Sequence, residues 1–160
     1  MGTKSVNDMT DEQIEDRITK LAFDGDALRF REFCARLKAG LPEGTGIAFR
    51  GSVITNQRFE DGTPYDSNGR GTSDLDVTLI GNKVMEFWND DAYYIPALHT
   101  KPLCDDDPGA APALNPLREE LQKLAGRPVA FQATANFILY TRDVLFKEAY
   151  YTLLEPQEAA

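Results

Sequence analysis

Thr72-Ser73-Asp74-Leu75-Asp76-Val77-Thr78-Leu79-Ile80-Gly81 is the stretch whose reading decides the fold. In an extended chain successive side chains point to opposite faces, so Leu75, Val77 and Leu79 share one face while Asp74, Asp76 and Thr78 share the other. The pattern predicts a strand with one face in a core and two carboxylates on the other. Like charges that close disfavour ionisation of both unless a divalent cation lies between them. Mg²⁺ takes hard oxygen ligands, typically one or two carboxylates with phosphate oxygens, so Asp74 and Asp76 form a candidate metal clamp. The plainer alternative is that both aspartates are the solvated face of an edge strand.

Upstream, Ile47-Ala48-Phe49-Arg50 alternates as a second short strand and runs into Gly51-Ser52. A glycine there lets the backbone approach a ligand closely, and a serine hydroxyl with nearby amides suits phosphate oxygens. From Phe59 to Thr72 the composition turns to Gly, Asp, Asn, Pro and Ser, which predicts a long loop.

Thr10 before Asp11-Glu12-Gln13, bracketed by Met9 and Ile14, predicts a capping box opening a helix to about Phe23. Asp26 caps a second, with Phe30, Phe33, Cys34 and Leu37 on one face and Gly40 as a left-handed end. A short helix is expected over Lys83 to Trp88 and an irregular segment over Asn89 to Ala113. Asn115 and Pro116 predict another helix start, with Leu117, Leu121 and Leu124 inward and Gly126 at its end. Pro128 to Tyr140 reads as one or two strands and Arg142 to Leu154 as a closing helix. The expected fold is α/β, more narrowly α+β: a small mixed sheet covered by helices, in a single domain over 1–160 with 1–9 and 155–160 as flexible flanks.

Arg50-Gly51-Ser52 followed by Thr72-Ser73-Asp74-Leu75-Asp76-Val77 resembles the signature of the DNA polymerase beta-like nucleotidyltransferase superfamily. The long loop, Gly51-Ser52-Val53-Ile54-Thr55 and Leu124 to Phe131 are also similar to nucleotidyltransferase-like domains of bacterial toxins in contact and competition systems. The resemblance implies that Gly51 and Ser52 hold the phosphates of an incoming nucleotide, with Ser73 a weaker contributor. It implies that Asp74 and Asp76 are the catalytic residues and bind Mg²⁺ or Mn²⁺, with an NTP such as ATP as substrate. Arg50 or Lys83 would neutralise charge on the leaving pyrophosphate. The implied acceptor is a protein or an RNA end.

Two departures from the family pattern stand out. The insertion from Arg58 to Gly71 is long, and is expected to fold over the site as a lid or acceptor-binding loop. The family's third carboxylate comes from a later strand, yet Pro128 to Tyr140 holds no Asp or Glu, and Gln132 or Asn136 stands there instead. Asp66, Asp105, Asp106, Asp107 or Asp143 can substitute; or one metal suffices; or the domain is a non-catalytic binding or regulatory module, a pseudoenzyme or an antitoxin-like partner.

Other candidates carry less. His99 is read as a packing or surface residue, Asp105 to Asp107 as a charged loop tip sooner than a Ca²⁺ site, and Trp88, Tyr93 and Tyr94 as core sooner than a cluster that stacks a base. Two cysteines, Cys34 and Cys104, without a CxxC spacing exclude a disulfide framework and a zinc site. A net charge of −9 argues against long duplex DNA, which needs a basic stripe, while leaving a metal-complexed nucleotide or a basic protein open. The sequence has neither a secretory leader pattern nor an apolar span, so no membrane partner and a cytoplasmic location are expected.

Overall fold

The computed structural model describes residues 8–57, 62–146 and 148–157. The flanks read as flexible lie mostly outside this range, as does Arg58 to Asp61 of the long loop. Helix α1 (Asp11–Ala22) opens on the expected capping box: Thr10 Oγ1 accepts from the Gln13 amide at 3.2 Å, and Gln13 Oε1 accepts from the Thr10 amide at 3.0 Å. Helix α2 (Ala27–Ala39) is capped by Asp26 and buries Phe30, Phe33, Cys34 and Leu37. Phe23 packs on Phe30 and Phe33 with ring centroids 5.4 and 5.2 Å apart, contacts worth about 0.5–1.5 kcal/mol each beyond area burial. Gly40 is not left-handed; its φ is −87°. It is small because a Cβ there would lie 2.7 Å from a Leu117 methyl, which lets α2 approach the later helix.

Six strands form one mixed sheet in the order β3-β4-β5-β2-β1-β6. They are β1 (Gly46–Arg50), β2 (Leu75–Ile80), β3 (Tyr93–Ile95), β4 (His99–Thr100), β5 (Val129–Thr134) and β6 (Tyr150–Leu154). Between them lie helices α3 (Ser52–Thr55), α4 (Asn82–Met85), α5 (Asn115–Ala125) and α6 (Phe137–Asp143). β2 runs antiparallel to β1 and parallel to β5, and the parallel pair is joined by the long crossover that includes α5. An α/β fold with a small mixed sheet covered by helices is what forms.

Leu75, Val77 and Leu79 point, as the alternation predicts, into the core with Ile47, Phe49 and Phe131, beneath α1, α2 and α5. Asp76 and Thr78 look to the other face, where Tyr140 of α6 is fully buried and its hydroxyl meets Thr78 Oγ1 at 3.1 Å. Among the described residues no helix is long and apolar enough to cross a membrane.

The C-terminal third differs from the sequence reading. Phe137, Ile138 and Leu139 form a helix because Asn136 caps it, accepting from the Leu139 amide at 3.0 Å; a short apolar run fits either state until its cap is known. Arg142 to Leu154 is no closing helix: α6 stops at Asp143, and Tyr150-Tyr151-Thr152, of strand-favouring types, pairs with β1 as an edge strand. α4 ends at Met85 rather than Trp88. Asn115 is already helical, and its amide reaches back to the Pro108 carbonyl instead of capping. On α5 it is Arg118, not only the leucines, that is buried; it binds Asp105, Gln122 and the Val129 carbonyl.

The long loop is tied down by one pair. Arg127 at the start of β5 is buried, donates to Asp66 Oδ1 at 2.8 Å, and also reaches the carbonyls of Leu21, Ala22 and Ser73. Asp66 in turn accepts from the amides of Ser73 and Gly71. Burial alone would raise the Asp66 carboxyl, but the Arg127 bond and these two amides outweigh it and hold the group below its ordinary range. A carboxylate depressed in the folded state stabilises fully above its unfolded pKa, about 3.9, and that stability fades as pH falls through the lower folded value. Urea unfolding is therefore expected to show Arg127→Met less stable by about 3–5 kcal/mol at pH 7. Asp66→Asn should be weakened at neutral pH and approach the wild type only as the pH falls from the unfolded value of about 3.9 through the lower folded one.

Candidate functional site

The end of β1 and the start of β2 lie side by side, with Arg50 opposite Asp76 in the antiparallel register. β1 then breaks at Gly51, whose φ of 83° and ψ of −156° suit a residue without a side chain, and α3 begins at Ser52. A Cβ on Gly51 would fall 2.8 Å from Asp76 Oδ2, so glycine is required both by conformation and by the carboxylate packed against it. The two motifs, separate in sequence, meet here.

Arg50, Gly51, Ser52, Ser73, Asp74 and Asp76 line one cleft of about 450 Å³, with Asn68 and Thr72 from the long loop and Val144, Leu145, Phe146 and Glu148 from the turn before β6. Six of the seven site residues expected from sequence are thus brought together. Lys83 is not: it sits on α4 beyond the far end of β2, about 20 Å of strand away from Asp74 at the usual rise per residue.

Asp74 sits at the mouth, just ahead of β2, and is exposed; Asp76 is the inner member of the pair. Burial pushes the Asp76 carboxyl above the ordinary carboxylate range, against the pull of the Arg50 guanidinium. Arg50 donates to Gln132 Oε1 at 3.0 Å, and its Nε is buried without a hydrogen-bond partner among the described residues. Gln132 accepts as well from the Tyr140 hydroxyl at 2.9 Å and donates to the Thr100 carbonyl. The position in register with Thr78 on β5 is therefore a neutral amide locked in a polar network.

Ser73 and Asp74 are held by their main chain. Tyr65, buried and with its phenol pushed up by burial, donates to the Asp74 carbonyl at 3.0 Å, while Ser73 Oγ accepts from the Asp66 amide at 2.8 Å. The described part of the loop is a pinned border of the cleft, not a detached lid.

The carboxylates considered as substitutes for a third acid are used elsewhere or lie off the cleft. Asp66 serves Arg127, Asp105 serves Arg118, and Asp143 serves Arg142 and His99. Asp106 and Asp107 are exposed in the turn after Cys104 and do not line the cleft. His99 is fully buried, with ring nitrogens 2.9 Å from Thr134 Oγ1 and 3.0 Å from Asp143 Oδ2, a packing role that ties α6 to the sheet. Trp88 is core and bonds the Lys101 carbonyl, whereas Tyr94 faces solvent on the β3 edge.

Sequence reasoning missed Glu148 and Phe146. Both fell inside the segment read as a helix; reading Tyr150-Tyr151-Thr152 as a strand against β1 would have brought the preceding turn to Arg50, since Tyr150 pairs with it. The donor set fits a hard divalent cation: two aspartate carboxylates at the cleft, one of them partly desolvated, with room for phosphate oxygens. Among the described residues no group of three or more His, Cys, Asp or Glu forms a closed cage.

Gly51→Ala is expected to lower stability by about 1–3 kcal/mol in thermal unfolding, because the new methyl strains φ and collides with Asp76. Ser52→Ala, at a half-buried position with no such contact, should stay within about 0.5 kcal/mol of the wild type.

Comparison with known protein families, with curated proteins and with solved structures found no match, so the chemistry of this cleft is read from its own side chains.

Proposed function

We propose that the protein is a divalent-metal-dependent nucleotidyltransferase that moves a nucleoside monophosphate from an NTP, with ATP the first to test, to a hydroxyl on a protein or an RNA end. The observation that carries the reading is the meeting of Gly51-Ser52 and Asp74-Leu75-Asp76 in one cleft of about 450 Å³. Pockets for small-molecule ligands usually run from about 300 to 1,000 Å³.

Asp74 and Asp76 are the residues that would hold Mg²⁺ or Mn²⁺, which when bound neutralises the triphosphate and stabilises charge on the reacting phosphate. Gly51 brings the backbone against the phosphates, Ser52 Oγ donates to a phosphate oxygen, and Ser73 borders them. The acceptor oxygen forms its bond to the α-phosphorus as the bond to the bridging oxygen breaks and pyrophosphate leaves. Glu148, on the cleft wall, receives the acceptor proton. Arg50, fixed by Gln132, faces the charge that develops on pyrophosphate. A net charge of −9 suits a metal-complexed nucleotide and a basic protein better than a bare polyanion, so long duplex DNA is no partner in this reading. The setting we propose is cytoplasmic, where NTPs and Mg²⁺ are at hand.

A second reading is favoured by one residue. Gln132 places a neutral amide, fully engaged with Arg50, Tyr140 and Thr100, on the strand parallel to β2. A domain built this way can bind a nucleotide without transferring it, as a regulatory module or pseudoenzyme.

Incubation with α-labelled NTPs, Mg²⁺ and candidate acceptors is expected to give label transfer that Asp74→Asn and Asp76→Asn each reduce by at least about 100-fold. Both variants should remain cooperatively folded, and Asp76→Asn should gain thermal stability without metal, because it removes a charge that burial disfavours. Metal-dependent NTP binding with no transfer to any acceptor selects the second reading. Undiminished transfer by Asp76→Asn overturns the first.

A further inference from the structure

The cleft has two chemically distinct parts. Charged and polar groups come from the Arg50–Ser52 turn, from Ser73, Asp74 and Asp76 and from the long loop, whereas the turn before β6 supplies as one wall three consecutive apolar residues, Val144, Leu145 and Phe146, followed by Glu148 at its end. Leu145 is buried and anchors that wall, and Phe146 beside it lines the cleft with its ring 73% exposed. Its φ of 51° lies in the left-handed region that residues other than glycine rarely adopt. Four other residues that are not glycine share this conformation, at Asp24, Asn56, Asp66 and Ala97, but Phe146 is the one among them that lines the cleft. The ring is presented, not left over.

A ligand matching this lining has a highly charged tail and a flat apolar head. Resting on the nucleotide reading above, we propose that the 144–146 turn is the nucleobase wall and that Phe146 is the ring on which the base stacks. Every base has a π-face, and a phenyl ring reads no hydrogen-bonding edge, so stacking here tolerates all four bases and favours the larger purines. The site then selects for the presence of a base more than for its identity.

The test is titration of the full-length protein with ATP, GTP, CTP and UTP in Mg²⁺, set against inorganic tripolyphosphate as a probe with the charged tail and no base. Phe146→Gly removes the ring and accepts the backbone angle, so folding is not at risk; Phe146→Trp restores a larger stacking surface. The expected result is that the wild type binds purine triphosphates tighter than tripolyphosphate. Phe146→Gly should lose about tenfold toward every NTP and nothing toward tripolyphosphate, and Phe146→Trp should regain the loss. Equal affinity of the wild type for ATP and tripolyphosphate overturns the base wall while leaving phosphate binding in place. Unchanged NTP binding by Phe146→Gly overturns it too, and assigns the exposed ring to another partner. Binding of neither probe to the wild type defeats the nucleotide reading itself.

Discussion

One guanidinium organises the approach to the cleft. Arg127 lies at the end of the crossover that makes β5 parallel to β2, and from there it bonds the last turn of α1, the Ser73 carbonyl and the Asp66 carboxylate. Its plane also faces the Tyr65 ring, 4.9 Å from guanidinium carbon to centroid. A buried cation is costly unless fully paired, and here the pairing is complete enough that the charge serves as a joint between four segments. The loop so fixed delivers Asp74 to the mouth of the cleft. Without that guanidinium, the segment before β2 would keep only the Tyr65 and Asp66 bonds to place a carboxylate, and a shift of one residue would send that carboxylate to the other face.

The layers repeat this logic on a smaller scale. On the core side, the sheet relies on shape: the Phe30 and Phe33 rings of α2 against Phe49, and a glycine that makes room for Leu117. On the cleft side it relies on polar satisfaction, with Thr78, Tyr140, Gln132, Arg50 and the Thr100 carbonyl in one chain of hydrogen bonds. Such a chain specifies geometry because any member left unpaired in the interior is expensive. It fixes the angle at which Arg50 enters the cleft, and that angle sets where positive charge is available to a ligand.

Much of the fold and most of the site were legible in the sequence, for reasons that differ by element. The β2 alternation, the Thr10 and Asp26 caps and the Gly51 break are local: each is decided by side chains within a few residues, so reading them needs no tertiary knowledge. The two motifs could be ordered along the chain, and antiparallel pairing of β1 with β2 then brought Arg50 and Gly51 to Asp76. The C-terminal third was not legible in the same way. Phe137-Ile138-Leu139 is apolar in either a strand or a helix, and Tyr150 to Leu154 becomes a strand only because β1 offers a free edge. With that pairing unread, Glu148 and Phe146 had no place at the cleft. Arg118 and Arg127 were invisible too, since a buried arginine is defined by partners far away in sequence. Lys83 erred in the opposite direction: a charge near the motif in sequence lies at the wrong end of the strand.

The edge strand β6 has a consequence for biosynthesis. It pairs with β1 from Ile47 to Arg50, with a register shift between Ile47 and Ala48, although about a hundred residues of chain separate the two. The wall formed by 144–146 is therefore positioned by residues made after every other strand of the sheet. A nascent chain can form α1 and α2 and bury the face of the sheet that carries Leu75, Val77 and Leu79, while its ligand cleft still lacks one side. Completion of the site thus waits for β6 to be made and to find the β1 edge.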